Sequence, residues 1–293
     1  MSSETKQPET ALLGEVVTWD VEKSEVTFTE LRQALVDAGL DESAAKELTP
    51  RSAFNRACRE LKENRAIDKV EAKGGTTKFQ FTSKALDGGK VDYQYECLVQ
   101  LENDSGTITC PESPELESQA RDLFEEAVRM RNAQDVTRLV QAMFMTHADL
   151  IPINPKKGVA YFVPHRFKDF TAKVDDFLHR IGGSLSRFPV PSGTAEGNAS
   201  VKEAVQAGLS TVLKELNASV EGWDEKTRPA TIKRVQAEFE KVQYKVSAYA
   251  EYLQSEQEGL QEKLKVAREA LAKKVMALGT AEEPAAEENV AAA

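Results

Sequence analysis

Residues 49–84 read TPRSAFNRACRELKENRAIDKVEAKGGTTKFQFTSK, and the fold turns on how this stretch divides. Thr49 can cap a helix, its hydroxyl taking a free N–H of the first turn, and Pro50 suits the first helical position, where no N–H is needed. Phe54, Ala57, Cys58 and Leu61 recur at helical spacing and form one apolar stripe, with Ser52, Asn55, Arg56 and Arg59 on the opposite side. After Ile67 the period falls to two. Lys69–Ala72 and Thr77–Phe81 flank Gly74-Gly75, a pair that supplies the positive φ angles of a tight hairpin.

Upstream, Thr29–Leu40 reads as a short amphipathic helix with Leu31 and Leu35 inward and Gly39 near its end. Asp41 then caps a second short helix over Glu42–Leu48. Helix, short helix, basic helix and hairpin, in that order over residues 25–84, resemble a winged helix-turn-helix, the module whose third helix enters a DNA major groove. The resemblance implies a nucleic-acid-binding set of Arg51, Ser52, Asn55, Arg56, Arg59 and Lys62 on the helix, with Lys69, Lys73 and Lys78 on backbone phosphates. Glu60 and Glu63 share or flank that surface and repel phosphate. The competing reading is a solvated helix face or a protein-binding surface, since a fold alone assigns no activity.

Charge bears on this choice. The 293-residue chain carries a net −10, the wrong sign for a molecule that binds nucleic acid over its whole surface. Residues 51–84 hold nine Lys/Arg against four acids, a local +5 that leaves −15 for the rest. Contact with a polyanion therefore has to run through that patch. A hydrophobic content of 41% and a charged content of 29% suit an elongated, helix-rich soluble chain better than one compact globule. Three cysteines (Cys58, Cys97, Cys110) do not make a secreted disulfide framework and are expected as reduced thiols, with Cys97 and Cys110 near each other. The N-terminus lacks an apolar signal core and no run reaches a membrane span, so a cytoplasmic protein is expected.

Further along, 16–21 is strand-like, with Trp19 packing on the first domain, and 90–110 reads as a hairpin turning at Asn103–Gly106, which either extends the wing's sheet or leads into the next unit. Ser113 caps a helix running to about Asn132, and a second helix spans Ala133–His147. A hairpin around 154–158 follows, then a helix over Phe167–Ile181 and an extended SLSRFPVP at 184–191. Small polar residues at 192–198 mark a boundary. Beyond it lie a helix over Ala199–Val220 and one unbroken helix from Pro229 to about Gly279, on the order of 75 Å long. Its heptad seam runs through Ile232, Val235, Phe239, Val242, Val246, Tyr249 and Leu253, falters at Glu256 and Gly259, and resumes at Leu260, Leu264 and Leu271. The shorter helix covers less than half of this seam, so pairing with a second copy of the chain is expected to hide the remainder.

No catalytic, metal or cofactor pattern emerges. The three histidines match no zinc spacing, the glycine pairs lack a phosphate-loop context, and no nucleophile stands beside a base, so a non-enzymatic protein is expected. Tyr161, Phe162, Phe167 and Phe170 lie among Lys156, Lys157, His165, Arg166 and Lys168. They either stack bases of a single strand or simply build a core. The stretches GVAYFVP and PRSAFNRACREL, with the later GG and FPV, look like a family of bacterial and phage-associated proteins of uncharacterised function over residues 15–190, which implies no activity.

The expected fold is α+β in three parts between disordered tails at 1–11 and 280–293: a winged-helix-like domain (12–89), a helix–helix–hairpin domain (90–191) and a helical hairpin or coiled coil (192–279). The expected function is DNA binding, possessed by a homodimer held through the coiled coil. The alternative is a structural adaptor that binds other proteins.

Overall fold

The computed structural model describes residues 11–279 apart from 23–24, 74, 88–89, 154–158, 225, 250–252 and 254–256, so the expected tails, save residue 11, and the 154–158 turn lie outside it. Among the described residues the chain is a mixed α+β protein with eight α-helices and three sheets. It divides into two units interleaved along the sequence. A bundle unit takes residues 1–18, 148–169 and 186–293, and a hairpin unit takes 19–147 and 170–185.

In the hairpin unit, β2 (Val26–Thr27) leads into α1 (Phe28–Asp37), which opens with a capping box. Thr27 Oγ1 accepts from the Glu30 N–H, and Glu30 accepts in turn from the Thr27 N–H. The expected helix at 42–48 is instead a single 3-10 turn, Glu42–Ala44. Asp41 takes both the N–H and the hydroxyl of Ser43, and Ala45 is already extended, so local side-chain bonds replace helical ones. The basic helix forms as read: α2 (Pro50–Glu60) is capped by Thr49 and buries Ala53, Phe54, Ala57 and Cys58.

The hairpin after it is longer than its turn suggests. Strands β3 (Arg65–Lys73), β4 (Thr76–Asp87) and β5 (Lys90–Glu102), with the short β6 (Ile108–Thr109), form one antiparallel sheet in the order β3-β4-β5-β6. Strand β5 pairs with β4 from Thr76↔Glu102 to Asp87↔Lys90, so the expected boundary at 89/90 falls inside a β-hairpin. The pairing is dictated by the inward alternation of Phe79 and Phe81 with Cys97, Val99 and Leu101, which together receive Phe54 and Cys58 of α2. Phe54 meets Phe79 edge-on at 5.5 Å. Burying each such ring contributes about 2–3 kcal/mol.

Ser113 caps α3 (Pro114–Arg129), whose Leu116 and Ala120 close the same core. Then β7 (Met130–Arg131) pairs with β2, and α4 (Ala133–His147) follows. Trp19 stacks near Phe144 of α4, their centroids 6.5 Å apart.

The bundle unit begins with β1 (Leu12–Asp20), flanked in a second sheet by β10 (Ser184–Pro191) and β9 (Tyr161–Pro164), with β8 (Ile151–Pro152) beyond β9. A 3-10 turn (His165–Phe167) separates β9 from α5 (Lys168–Arg180). Gly14 lets β1 approach β9, since a Cβ there would stand 2.3 Å from the Val163 carbonyl oxygen. The expected 90–191 domain is therefore not a unit. Its strands β8–β10 belong with β1 and with the C-terminal helices, and residue 192 is no boundary.

Thr194 caps α6 (Ala195–Glu221). The single 75 Å helix expected after it does not form. Instead α7 (Pro229–Ala248) and α8 (Gln257–Gly279) are separate and lie antiparallel, with Arg268 donating to Gln243 and with Val246 and Leu264 lining one groove. Doubling back lets three apolar stripes bury one another. Val235, Phe239, Val242, Val246, Tyr249 and Leu253 join Leu260, Leu264 and Leu271 in one core with α6, at 7% exposure or less, and Ile232 packs on its edge. The exposed half-seam that called for a second copy is thereby covered within the chain.

Candidate functional site

The α2 helix presents the candidate surface. Its apolar face is taken up by the sheet and α3, which leaves an uncovered arc. Arg51, Asn55 and Arg59 follow one another at four-residue intervals, within about 80° of arc and about 12 Å of helix axis. Arg51, Ser52 and Arg59 are exposed, Asn55 is half-buried, and Lys62 is exposed in the turn just past the helix. Arg51, Arg59 and Lys62 have no ion pair among the described residues. Ser52 serves the helix start, its N–H donating to Thr49 Oγ1 and its hydroxyl accepting from Thr49.

Other members of the expected set are engaged elsewhere. Arg56 Nη2 donates to Asp135 Oδ1 of α4 at 2.7 Å, with only 26% and 12% of the two side chains exposed. That contact turns Arg56 into a tie between helices. Lys78 pairs with Glu71 across β3 and β4 at 2.6 Å, Lys69 is exposed, and the Lys73 side chain lies outside the described residues. Arg65 is also consumed, in a two-pronged pair with Glu96. The positive patch is thus smaller than the count of basic residues implies, and it is concentrated on α2.

The aromatic run near 161–170 is not one stacking surface. Phe162 is fully buried in the bundle core, and Phe170 packs edge-on against Phe144 in the hairpin unit at 5.4 Å. What the run hides is a polar cluster that sequence reading missed. Asp149, 5% exposed, accepts from Lys245 Nζ at 2.8 Å and from Arg166 Nη2 at 3.1 Å, and also takes the hydroxyl of the fully buried Tyr249. The Arg166 guanidinium lies 4.8 Å from the Phe167 ring and 4.9 Å from that of Tyr249. Burial alone would raise the Asp149 carboxyl. Hydrogen bonds from Lys245 and Tyr249, the charge of Lys245 and the Arg166 contact outweigh it and hold the group below the usual carboxylate range. Burial, then the bond to Asp149, pushes the Tyr249 phenol far up. Near neutrality the carboxylate stays ionised and the phenol protonated, so neither group is poised to exchange a proton. The only sequence signal for this cluster was an aspartate and a tyrosine at otherwise apolar positions.

All three thiols are buried. Burial raises Cys58, and burial followed by a hydrogen bond with Cys110 pushes Cys97 up to about 12. Among the described residues no cluster of His, Cys, Asp and Glu is arranged to hold a metal ion, and no helix is long and apolar enough to cross a membrane.

A family model described as a family of unknown function (DUF6744) matches residues 12–285, and the chain belongs to that family. No curated protein and no solved structure matches it.

Proposed function

We propose that this member of the family is a non-enzymatic DNA-binding protein that sets the uncovered arc of α2 into a duplex groove, in the manner of a winged helix. One observation carries the reading: Arg51, Arg59 and Lys62 stand exposed around Asn55, with no ion pair among the described residues, on a chain whose total charge is −10. Cations spaced along one helix face reach phosphates, and an amide between them can address a base edge. Glu60 and Glu63 are exposed beyond one flank of the arc and limit how the helix can lie. Arg56 and Lys78 belong to ion pairs in this reading and contact no phosphate.

The test is anisotropy of a labelled 20–30 bp duplex with the full chain over a range of salt. Binding should weaken linearly on a log–log plot, and each of Arg51→Ala, Arg59→Ala and Lys62→Ala should reduce the slope by about one. Salt-independent binding, or a triple variant that binds like the wild type, refutes it. A second reading, a protein adaptor, draws on Tyr93 and Tyr95. They are 58% and 57% exposed at alternate positions of β5, the kind of aromatic pair a protein partner covers.

A further inference from the structure

We infer that Arg166 and Lys245, held side by side by Asp149 in the bundle unit, form a binding site for a phosphate group. One carboxylate at 5% exposure anchors two cations, which leaves an excess of one positive charge. That excess is within reach of solvent, because the Arg166 and Lys245 side chains keep 39% and 32% of their exposure.

Donor capacity points the same way. A guanidinium carries five N–H groups and an ammonium three. Arg166 spends one nitrogen on Asp149, and Lys245 makes a single contact to the same carboxylate. Arg166 also makes a side-chain hydrogen bond with Tyr249, and the donors left over on the two cations have no further protein partner among the described residues. Arg166 is also preorganised: aromatic rings at 4.8 and 4.9 Å and the Asp149 bond fix its fork before a ligand arrives. A fixed fork beside a second cation suits an oxyanion with more than two oxygens. Two oxygens of a tetrahedral group meet the fork and a third meets the ammonium, whereas a planar carboxylate satisfies only the fork. Tyr244, 67% exposed and close enough to contribute to the electrostatics of Arg166, offers a ring on which a base can stack. The phosphate therefore comes either free or on a nucleotide. Nothing in α2 takes part, so the site stands or falls separately from the DNA-binding reading.

The experiment is calorimetric titration of the full chain with inorganic phosphate and, separately, with adenosine 5′-monophosphate. Saturable binding is expected, weakened about tenfold or more by Arg166→Gln and by Lys245→Gln. It should be unaffected by the Arg51→Ala/Arg59→Ala/Lys62→Ala variant. Equal affinity for the two ligands assigns the site to phosphate alone. Tighter nucleotide binding that Tyr244→Ala removes assigns it to a nucleotide. Either result supports the inference. Should a variant unfold, competition on the wild-type chain decides: sulfate displaces phosphate and acetate does not. Absence of saturable binding, retention of binding by both folded single variants, or displacement by acetate as readily as by sulfate overturns it.

Discussion

Replacing Asp149 by alanine should lower the stability of the bundle unit by about 2–4 kcal/mol. Breaking a buried ion pair costs about 3–5 kcal/mol when the stranded partner cannot reach water. Here the charged partners partly can, since Arg166 and Lys245 are 39% and 32% exposed, and that reduces the charge penalty. Tyr249 cannot, being 0% exposed, and a stranded hydroxyl adds about 1–3 kcal/mol. For a unit of this size the melting temperature should fall by about 5–15 °C. Tyr249→Phe alone should cost about 1 kcal/mol, because Asp149 keeps both cations. The double variant should cost less than the sum, with a coupling of about 1 kcal/mol from paired urea titrations.

The same carboxylate sets an acid limb. Its pKa is depressed in the folded chain, so its stabilisation is complete above the unfolded value near about 3.9 and is lost as pH falls below that. Asp149→Asn should flatten the wild-type decline below about pH 4. An Asp149→Ala chain melting within about 1 °C of wild type would refute the reasoning.

Three further outcomes are expected. Tyr249 should be the last of the six tyrosines to ionise: its phenol is raised, so its contribution holds below about pH 10 and fades above it. A 295 nm titration should therefore show one phenol appearing only with unfolding. Native protein should leave all three thiols unreactive toward an aromatic disulfide reagent, and denaturant should release three, since each is 0% exposed. Gly14→Ala should cost about 3 kcal/mol or more by urea titration, because its Cβ would lie 2.3 Å from a backbone oxygen and 2.7 Å from the Phe162 ring.

Local structure was legible in the sequence because local physics makes it. Thr49 and Pro50 start α2, Ser113 starts α3, and Gly75, at φ +82°, sits at the turn between β3 and β4. What eluded reading depends on partners far apart in the chain. No periodicity tells β1 that its neighbours are β9 and β10. The heptad seam was visible, but a continuous helix and a helical hairpin write the same apolar spacing, and only the stripe of α6 chooses between them. The α2 surface was half legible. Sequence showed which residues face away from the stripe, and not that Asp135, 79 positions from Arg56, would claim one of them. Asp149 and Tyr249 are 100 positions apart and left no motif at all.

The interleaving of the units has a consequence for biosynthesis. Strand β1 is translated roughly 140 residues before its partner β9, and further still ahead of α8. Meanwhile residues 19–147 can collapse around their own sheet. Strand β1 and helices α6 to α8 share one unit, so a premature stop within α6 or α7 would leave the sheet of β1 without the helices that pack on it. Such a truncated product is expected to be a chaperone client even though its middle is folded.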